Sequence, residues 1–256
     1  MRLSPRHPRY RSLRVRALLA EAHRSGLVVP EGLIAHGRGE AYDYLLGERT
    51  TASARRAERR AAEWLASARH PVISVNGNVA ALAAKELARI ARIDPRIGIE
   101  VNLFHRTPRR ARLVAEVLRR AGVRRVLGLR PTARIRGISS DRAGVDRRGI
   151  YAADVCLIPL EDGDRAEALR ARGQTVIAID LNPLSRTSRV ADLPIVDELT
   201  RALGHIADDL ETLRARPRPS GPRRFDARRA RAEALVAIRR TLTRSAAQRP
   251  TRGPRR

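Results

Sequence analysis

Four polar clusters in this chain each follow a short apolar run: SVNGN at 74–78, EVNLFHRT at 100–107, PLEDGD at 159–164 and IDLNPLSRT at 179–187. Their side chains are of the kinds that handle anions. Arg106 and Arg186 offer a planar fork that grips phosphate or carboxylate at two points, and Asn76, Asn78, Asn102 and Asn182 offer carboxamides that donate and accept. Glu161, Asp162, Asp164 and Asp180 add carboxylates; Glu161, Asp162 and Asp164 are candidates either for capping the helix that follows or for a Mg²⁺ role, with Asp162 and Asp164 the possible ligands. If the four runs are neighbouring strands, these residues line one crevice suited to a large polyanionic substrate. Each cluster alone also reads as a turn, because Asn, Asp, Gly, Pro and Ser all favour turns.

The apolar runs that carry the clusters predict the fold. Val176, Ile177, Ala178 and Ile179 show no polar alternation, as expected of a strand covered on both faces. Similar runs at 71–75, 97–104, 123–129 and 153–160 alternate with helical patterns at 78–93, 109–121 and up to 172, and a short strand at 193–196 leads into a helix at 197–214. Repeated strand–helix–strand order implies a parallel sheet with helices on both faces, an α/β, Rossmann-like three-layer domain. Ligands of open α/β sheets sit outside the carboxyl ends of the strands, where the polar clusters fall. Residues 1–69 form an added N-terminal helical region, with one helix stopping near Gly26 and another at 53–69. Gly37 and Gly39 flank Arg38 and are expected to let the backbone approach a ligand and lend it N–H donors. The whole of 1–215 reads as one domain, followed by an arginine-rich extension at 216–256, flexible or partly helical.

Composition narrows the function classes. A chain of 256 residues, 43% apolar, can bury a core of ordinary size. No apolar run approaches the ~20 residues needed to span a bilayer, and MRLSPRHPRYRSLRVR contains no apolar block of the signal type, so a cytoplasmic protein without membrane contact is expected. The single Cys156 has no partner for a disulfide and lies in an apolar run, as a core residue would. The net charge of +26 is almost all arginine, Lys85 being the one lysine, and +12 of it lies in 216–256 against +14 in the other 215 residues. A solvated tail explains that excess; weak, salt-sensitive contact with nucleic acid is the alternative, disfavoured because no aromatic residues interleave the basic run. A P-loop is excluded, and the single glycine of VNGNVAAL disfavours a nicotinamide oxidoreductase without removing it as an alternative. No Ser/His/Asp or Cys/His set is evident.

Taken together, HPRYRSL, GLIAHGRGEAYDYLLGE, PVISVNGN, IEVNLFHRT, GIYAADVCLIPLEDGDRAEAL and TVIAIDLNPLSRTS resemble the archaeal 4-phosphopantoate:β-alanine ligase family, the phosphopantothenate synthetases. The resemblance runs in order from about His7 to Leu213 and has no counterpart for the arginine-rich extension. It implies a homodimeric Rossmann-like enzyme of coenzyme A synthesis that joins 4-phosphopantoate to β-alanine with ATP and Mg²⁺, giving 4'-phosphopantothenate, AMP and diphosphate through an acyl-adenylate. It further implies Arg16 and Arg38 on ATP phosphates, Asp180, Leu181 and Asn182 on the nucleotide, Arg186 with Thr187 on phosphate, and Asp197 and Glu198 near adenine or ribose. Arg38 and Arg186 are the expected catalytic cations. Asn76, Asn78, Asn102 and Arg106 are left for the acid substrate.

Overall fold

A computed structural model describes residues 4, 6, 7, 9–215 and 224–247. Its centre is a six-stranded, wholly parallel sheet of β1 (Pro71–Val75), β2 (Gly98–Val101), β3 (Val126–Leu127), β6 (Val155–Pro159), β7 (Thr175–Ile179) and β8 (Leu193–Ile195), in the order β3-β2-β1-β6-β7-β8. Strands β4 (Ala133–Arg134) and β5 (Gly144–Val145) pair antiparallel as a separate hairpin inside the segment 131–149. The chain direction of the strand order reverses between β1 and β6, the place where α/β sheets open a crevice.

The alternation of apolar runs and helical periods produces three layers, as expected. Ile73, Val75, Leu157, Ile177 and Ile179 face a core shared with α3 (Ala52–Ser67), α4 (Gly77–Ile93), α5 (Pro108–Ala121) and α8 (Leu199–Arg214). Val72, Cys156, Ile158, Val176 and Ala178 face the other way, against α6 (Gly163–Ala171), α7 (Arg186–Val190) and buried residues of 135–150. Cys156 is fully buried, as its apolar run implied, and burial pushes its thiol up to about 12, which leaves it inert. Three strands are shorter than their apolar runs by more than one residue: only Gly98–Val101 of 97–104, Val126–Leu127 of 123–129 and Val155–Pro159 of 153–160 form strands.

The N-terminal region is α1 (Tyr10–Arg24), α2 (Pro30–Leu46) and α3, and here one expectation fails. Gly37 and Gly39 lie inside α2, where the amide of an interior residue bonds the carbonyl four residues back and has nothing left for a ligand. Strong end signals outweigh the two glycines: Pro30 opens the helix with its φ preset, Glu31 suits the positive end, and Gly47 closes it in the left-handed region at φ +81. Gly77 is required for another reason. A Cβ there would stand 2.3 Å from the carbonyl oxygen of Leu27, so only glycine lets α4 start against the α1–α2 link.

In the extension, Ala227–Ala247 forms α9, whose Ala230, Ala234 and Ile238 are buried. Ala234 and Ile238 join Leu46, Leu181 and Val196 in a small core over the carboxyl ends of β7 and β8. Two side-chain-to-backbone bonds fix the helix, Ser53 Oγ donating to Ala230 O at 3.2 Å and Arg231 Nη1 donating to Ser188 O at 3.2 Å. No helix of the described residues is long and apolar enough to cross a membrane.

Candidate active site

The strand order places β2, β1, β6 and β7 side by side, so the four polar clusters meet along one edge. At the β1 end, Asn76 accepts from Val79 N at 3.1 Å as N-cap of α4 and donates to the carbonyls of Pro159 and Leu160 at 3.3 and 3.1 Å, tying β1 to β6. Asn78 donates to Gly32 O at 2.8 Å and joins α4 to α2. Asn102 donates to the carbonyls of Arg142 and Gly144 at 3.2 and 3.0 Å, and Arg106 holds the Gly128 carbonyl and that of Leu129 at 2.9 Å. All four residues assigned to the acid substrate therefore have side-chain donors committed to nearby backbone, a use that spacing alone does not reveal.

The nucleotide candidates fall into two places. One is a cavity of about 300 Å³ between α1, α2, the β7 loop and the start of α8, lined by His36, Gly39, Leu181, Glu198 and Thr200 among others. Asp180, next to the lining residue Leu181, has its carboxyl pushed up by burial, an effect opposed by Ser185, Asn182 N and the nearby positive charge of Arg38. Exposed Arg16 reaches across to α2, where its Nη2 lies 2.9 Å from Glu40 Oε2. Glu198 caps α8, accepting from Thr200 N at 3.0 Å and Arg201 N at 3.1 Å. Asn182 Oδ1 accepts from Leu184 N at 2.9 Å and turns the loop.

Arg186 and Thr187 lie apart from that cavity. Thr187 is buried, its hydroxyl donating to Glu161 O at 2.6 Å. Arg186 opens α7 and pairs with Glu167 through Nε at 2.9 Å and Nη2 at 2.5 Å, on the rim of a hollow of about 700 Å³ lined also by Arg134, Arg136, Asp164 and Arg172. Its stem passes so close to the start of α6 that a Cβ on Gly163 would stand 2.4 Å from Arg186 Cγ.

Two residues that spacing did not single out, Arg165 and Arg142, complete the switch point around Glu161. Arg165 is wholly buried; its Nη1 donates to Ser74 Oγ at 3.0 Å and pairs with Glu161. Arg142 takes the other oxygen of Glu161 and lies with Nε 3.2 Å from Asp162 Oδ2. Asp162 occupies the N-cap position of α6 but caps nothing with its side chain, and its oxygen faces a guanidinium rather than an open cation position. Asp164 makes no ion pair among the described residues. The signal that could have found Arg165 was its place inside PLEDGDRAEAL, four residues after Glu161, one helical turn on.

Asp197 belongs to a buried network beneath the first cavity. It accepts from Thr50 Oγ1 at 2.5 Å and from Arg201 Nη2 at 2.7 Å, while Arg201 also grips Asp43 of α2. Glu58 and His205 join it, their ligand-type atoms and that of Asp197 lying within 4.8 Å of one another. His205 Nδ1 lies 2.8 Å from Glu58 Oε2. Burial and the neighbouring Asp197 push the Glu58 carboxyl up to about 9. Between about 4.5 and 9 the folded chain thus holds a proton that the unfolded chain has released, so this group's stabilising contribution is complete at low pH and declines as pH rises. Glu58→Gln keeps the shape and can still donate to Asp197. Its melting temperature, followed from pH 5 to 9, is expected to gain steadily on the wild type; parallel curves would mean that Glu58 carries no such proton.

Comparison with known proteins places this arrangement. The profile of the family described as phosphopantothenate/pantothenate synthetase matches residues 53–241, which takes in part of α9. The chain is similar to a 4-phosphopantoate–beta-alanine ligase of Methanospirillum hungatei JF-1, 56% identical over 201 residues that cover 78% of this chain and 82% of the relative. It is also similar to the proteins of that name from Methanosarcina mazei, 55% identical over 201 residues (78% and 79% of the two chains), and Thermococcus kodakarensis, 52% identical over 197 residues (77% and 75%).

Proposed function

The chain belongs to the phosphopantothenate/pantothenate synthetase family and is a carbon–nitrogen ligase, and from that premise we propose that it joins 4-phosphopantoate to β-alanine using ATP, in coenzyme A synthesis. In the proposed sequence a carboxylate oxygen of 4-phosphopantoate attacks the α-phosphorus of ATP and diphosphate leaves. The β-alanine nitrogen then attacks the acyl carbon, AMP leaves with the bonding pair, and the nitrogen releases its proton. Activation is needed because a free carboxylate has no usable leaving group. Negative charge accumulates on the polyphosphate, the substrate phosphate and the carboxylate, so fixed cations and orientation of the reactants are what the protein has to supply.

The observation that carries this reading is the cavity between α1, α2, the β7 loop and α8. Leu181 and Glu198 line it, Arg38 is near enough to Asp180, the neighbour of Leu181, to act on its carboxyl, and Arg16 pairs with Glu40, another lining residue. We assign the nucleotide there, with Asp180, Leu181 and Asn182 shaping the loop and Asp197 acting through Arg201 and Asp43 to keep α2 in place. Arg186, which lies apart from that cavity on the rim of the second hollow, is assigned to a phosphate reaching the α7 side, with Thr187 anchoring its helix. Asn76, Asn78, Asn102 and Arg106 position the strand ends around the acid substrate. Mg²⁺ would arrive with ATP and neutralise polyphosphate charge, with Asp164 the carboxylate open to it. A homodimer in the cytoplasm is part of the same reading.

The test is direct. Purified protein given ATP, Mg²⁺, 4-phosphopantoate and β-alanine is expected to form 4'-phosphopantothenate and AMP in equal amounts. ADP in place of AMP would remove the adenylate, and absence of product would remove the reading.

A further inference from the structure

Buried polar atoms without an aligned hydrogen bond are few in a folded protein, and each calls for a physical account. Among the described residues there are ten such side-chain atoms, and six of them belong to one group: Asn102 Oδ1, Arg142 Nε and Nη1, Asp162 Oδ2, and Arg165 Nε and Nη2. The group sits at the ends of β1, β2 and β6, at the sheet's switch point. Arg165 is 0% exposed and Arg142 6%. Arg142 meets Glu161 and Asp162 as ion pairs without hydrogen-bond alignment, and two N–H positions of Arg165 meet no acceptor. Burying a guanidinium with idle donors is costly unless something else takes them up.

Asn102 Oδ1 and Asp162 Oδ2 are acceptors themselves, but for the guanidinium donors of this group the surroundings favour an anion as the missing acceptor. Glu161 is shared by two guanidinium groups; Arg142 also meets Asp162, whereas Glu161 is the one carboxylate paired with Arg165 among the described residues. Asp162 leaves the amino end of α6 without a side-chain cap, so amides of its first turn remain unclaimed beside the two arginines. Arg186 lies over that same helix end, against Gly163. Exposed Phe104, with the Arg142 guanidinium 6.0 Å from its ring centre, marks the outer side of the group.

We infer that Arg142 and Arg165, with the start of α6, form a receptor for a phosphate oxyanion at the switch point. The inference rests on the ligase reading only for the source of the phosphate: the phosphate of the acid substrate, or the polyphosphate of ATP. The anion completes the coordination of both guanidinium groups and holds its bearer at the crevice, next to Asn102 and Arg106.

Inorganic phosphate probes the receptor without any turnover. In the wild type, phosphate at ten or more times its Kd is expected to raise the melting temperature by about 3 °C over chloride of equal ionic strength. Arg142→Gln should lose that rise, whereas Arg125→Gln, which removes an exposed cation elsewhere, should keep it. In kinetics, Arg142→Gln should raise one KM by tenfold or more and leave the other within twofold. A raised KM for 4-phosphopantoate assigns the acid substrate; a raised KM for ATP assigns the polyphosphate. Arg142→Lys keeps the charge but not the fork, and partial recovery is expected. A phosphate rise retained in Arg142→Gln, or absent from the wild type, overturns the receptor. Should Arg142→Gln not fold, a wild-type crystal soaked in phosphate decides, because density away from both guanidinium groups overturns it equally. Should the wild type form no product, the ligase reading falls while the phosphate titration still decides the receptor.

Discussion

Arg186→Ala is expected to lower kcat/KM by on the order of 10²-fold or more, with little change in melting temperature. The two halves of that expectation come from different observations. Arg186 is exposed, and its pair with Glu167 is a surface one, which salt screens and which contributes little to folding. The same exposure leaves the guanidinium free to exchange Glu167 for a phosphate, since both present oxygens to its fork in the same way. Glu167 therefore reads as a holder that keeps Arg186 extended beside α6 until an anion arrives. Steady-state kinetics with each substrate varied, together with a thermal melt, would check this. Near-wild-type kinetics would place Arg186 outside the reaction, and a large fall in melting temperature would make its role structural.

Arg165→Met is the substitution expected to damage the fold most. Arg165 is fully buried and shares Glu161 with Arg142, so its loss leaves a buried carboxylate with half its partners, and such losses cost about 3–5 kcal/mol. For a chain of this size the melting temperature should fall by roughly 6–20 °C. Combining Arg165→Met with Glu161→Gln should cost clearly less than the sum of the two single changes, because the second removes the charge that the first strands. Strict additivity, or a single variant that melts within 2 °C of the wild type, would show that the pair does not act as a unit.

Arg165 and Glu161 are one helical turn apart, but their other partners lie far off in the chain. Arg142 and Glu161 are separated by β5, a turn and β6, and Ser74, the hydroxyl that steadies Arg165, lies 91 positions away. By contrast, Asn76 at the start of α4 and Thr107 at the start of α5 cap their own helices within three residues, and those helix starts were legible to within one position. Gly37 and Gly39 misled for a related reason. Taken locally they suggest an open backbone, yet the helix through them is secured by Pro30 at one end and Gly47 at the other, and by packing of its face on the β7 loop and α9.

From residue order alone came the three-layer parallel fold, the inert Cys156 and the family to which the motifs belong. These follow from short-range physics: apolar runs that need two covers, turns that need small polar residues, and helices that need caps. The tertiary structure decided which strand ends meet, that Asn76, Asn78, Asn102 and Arg106 bind backbone, and that Arg142, Glu161 and Arg165 form the charged centre of the switch point. Those outcomes depend on strand order and on burial, which set the cost of an unpaired charge, and neither quantity is a property of any one stretch of the chain.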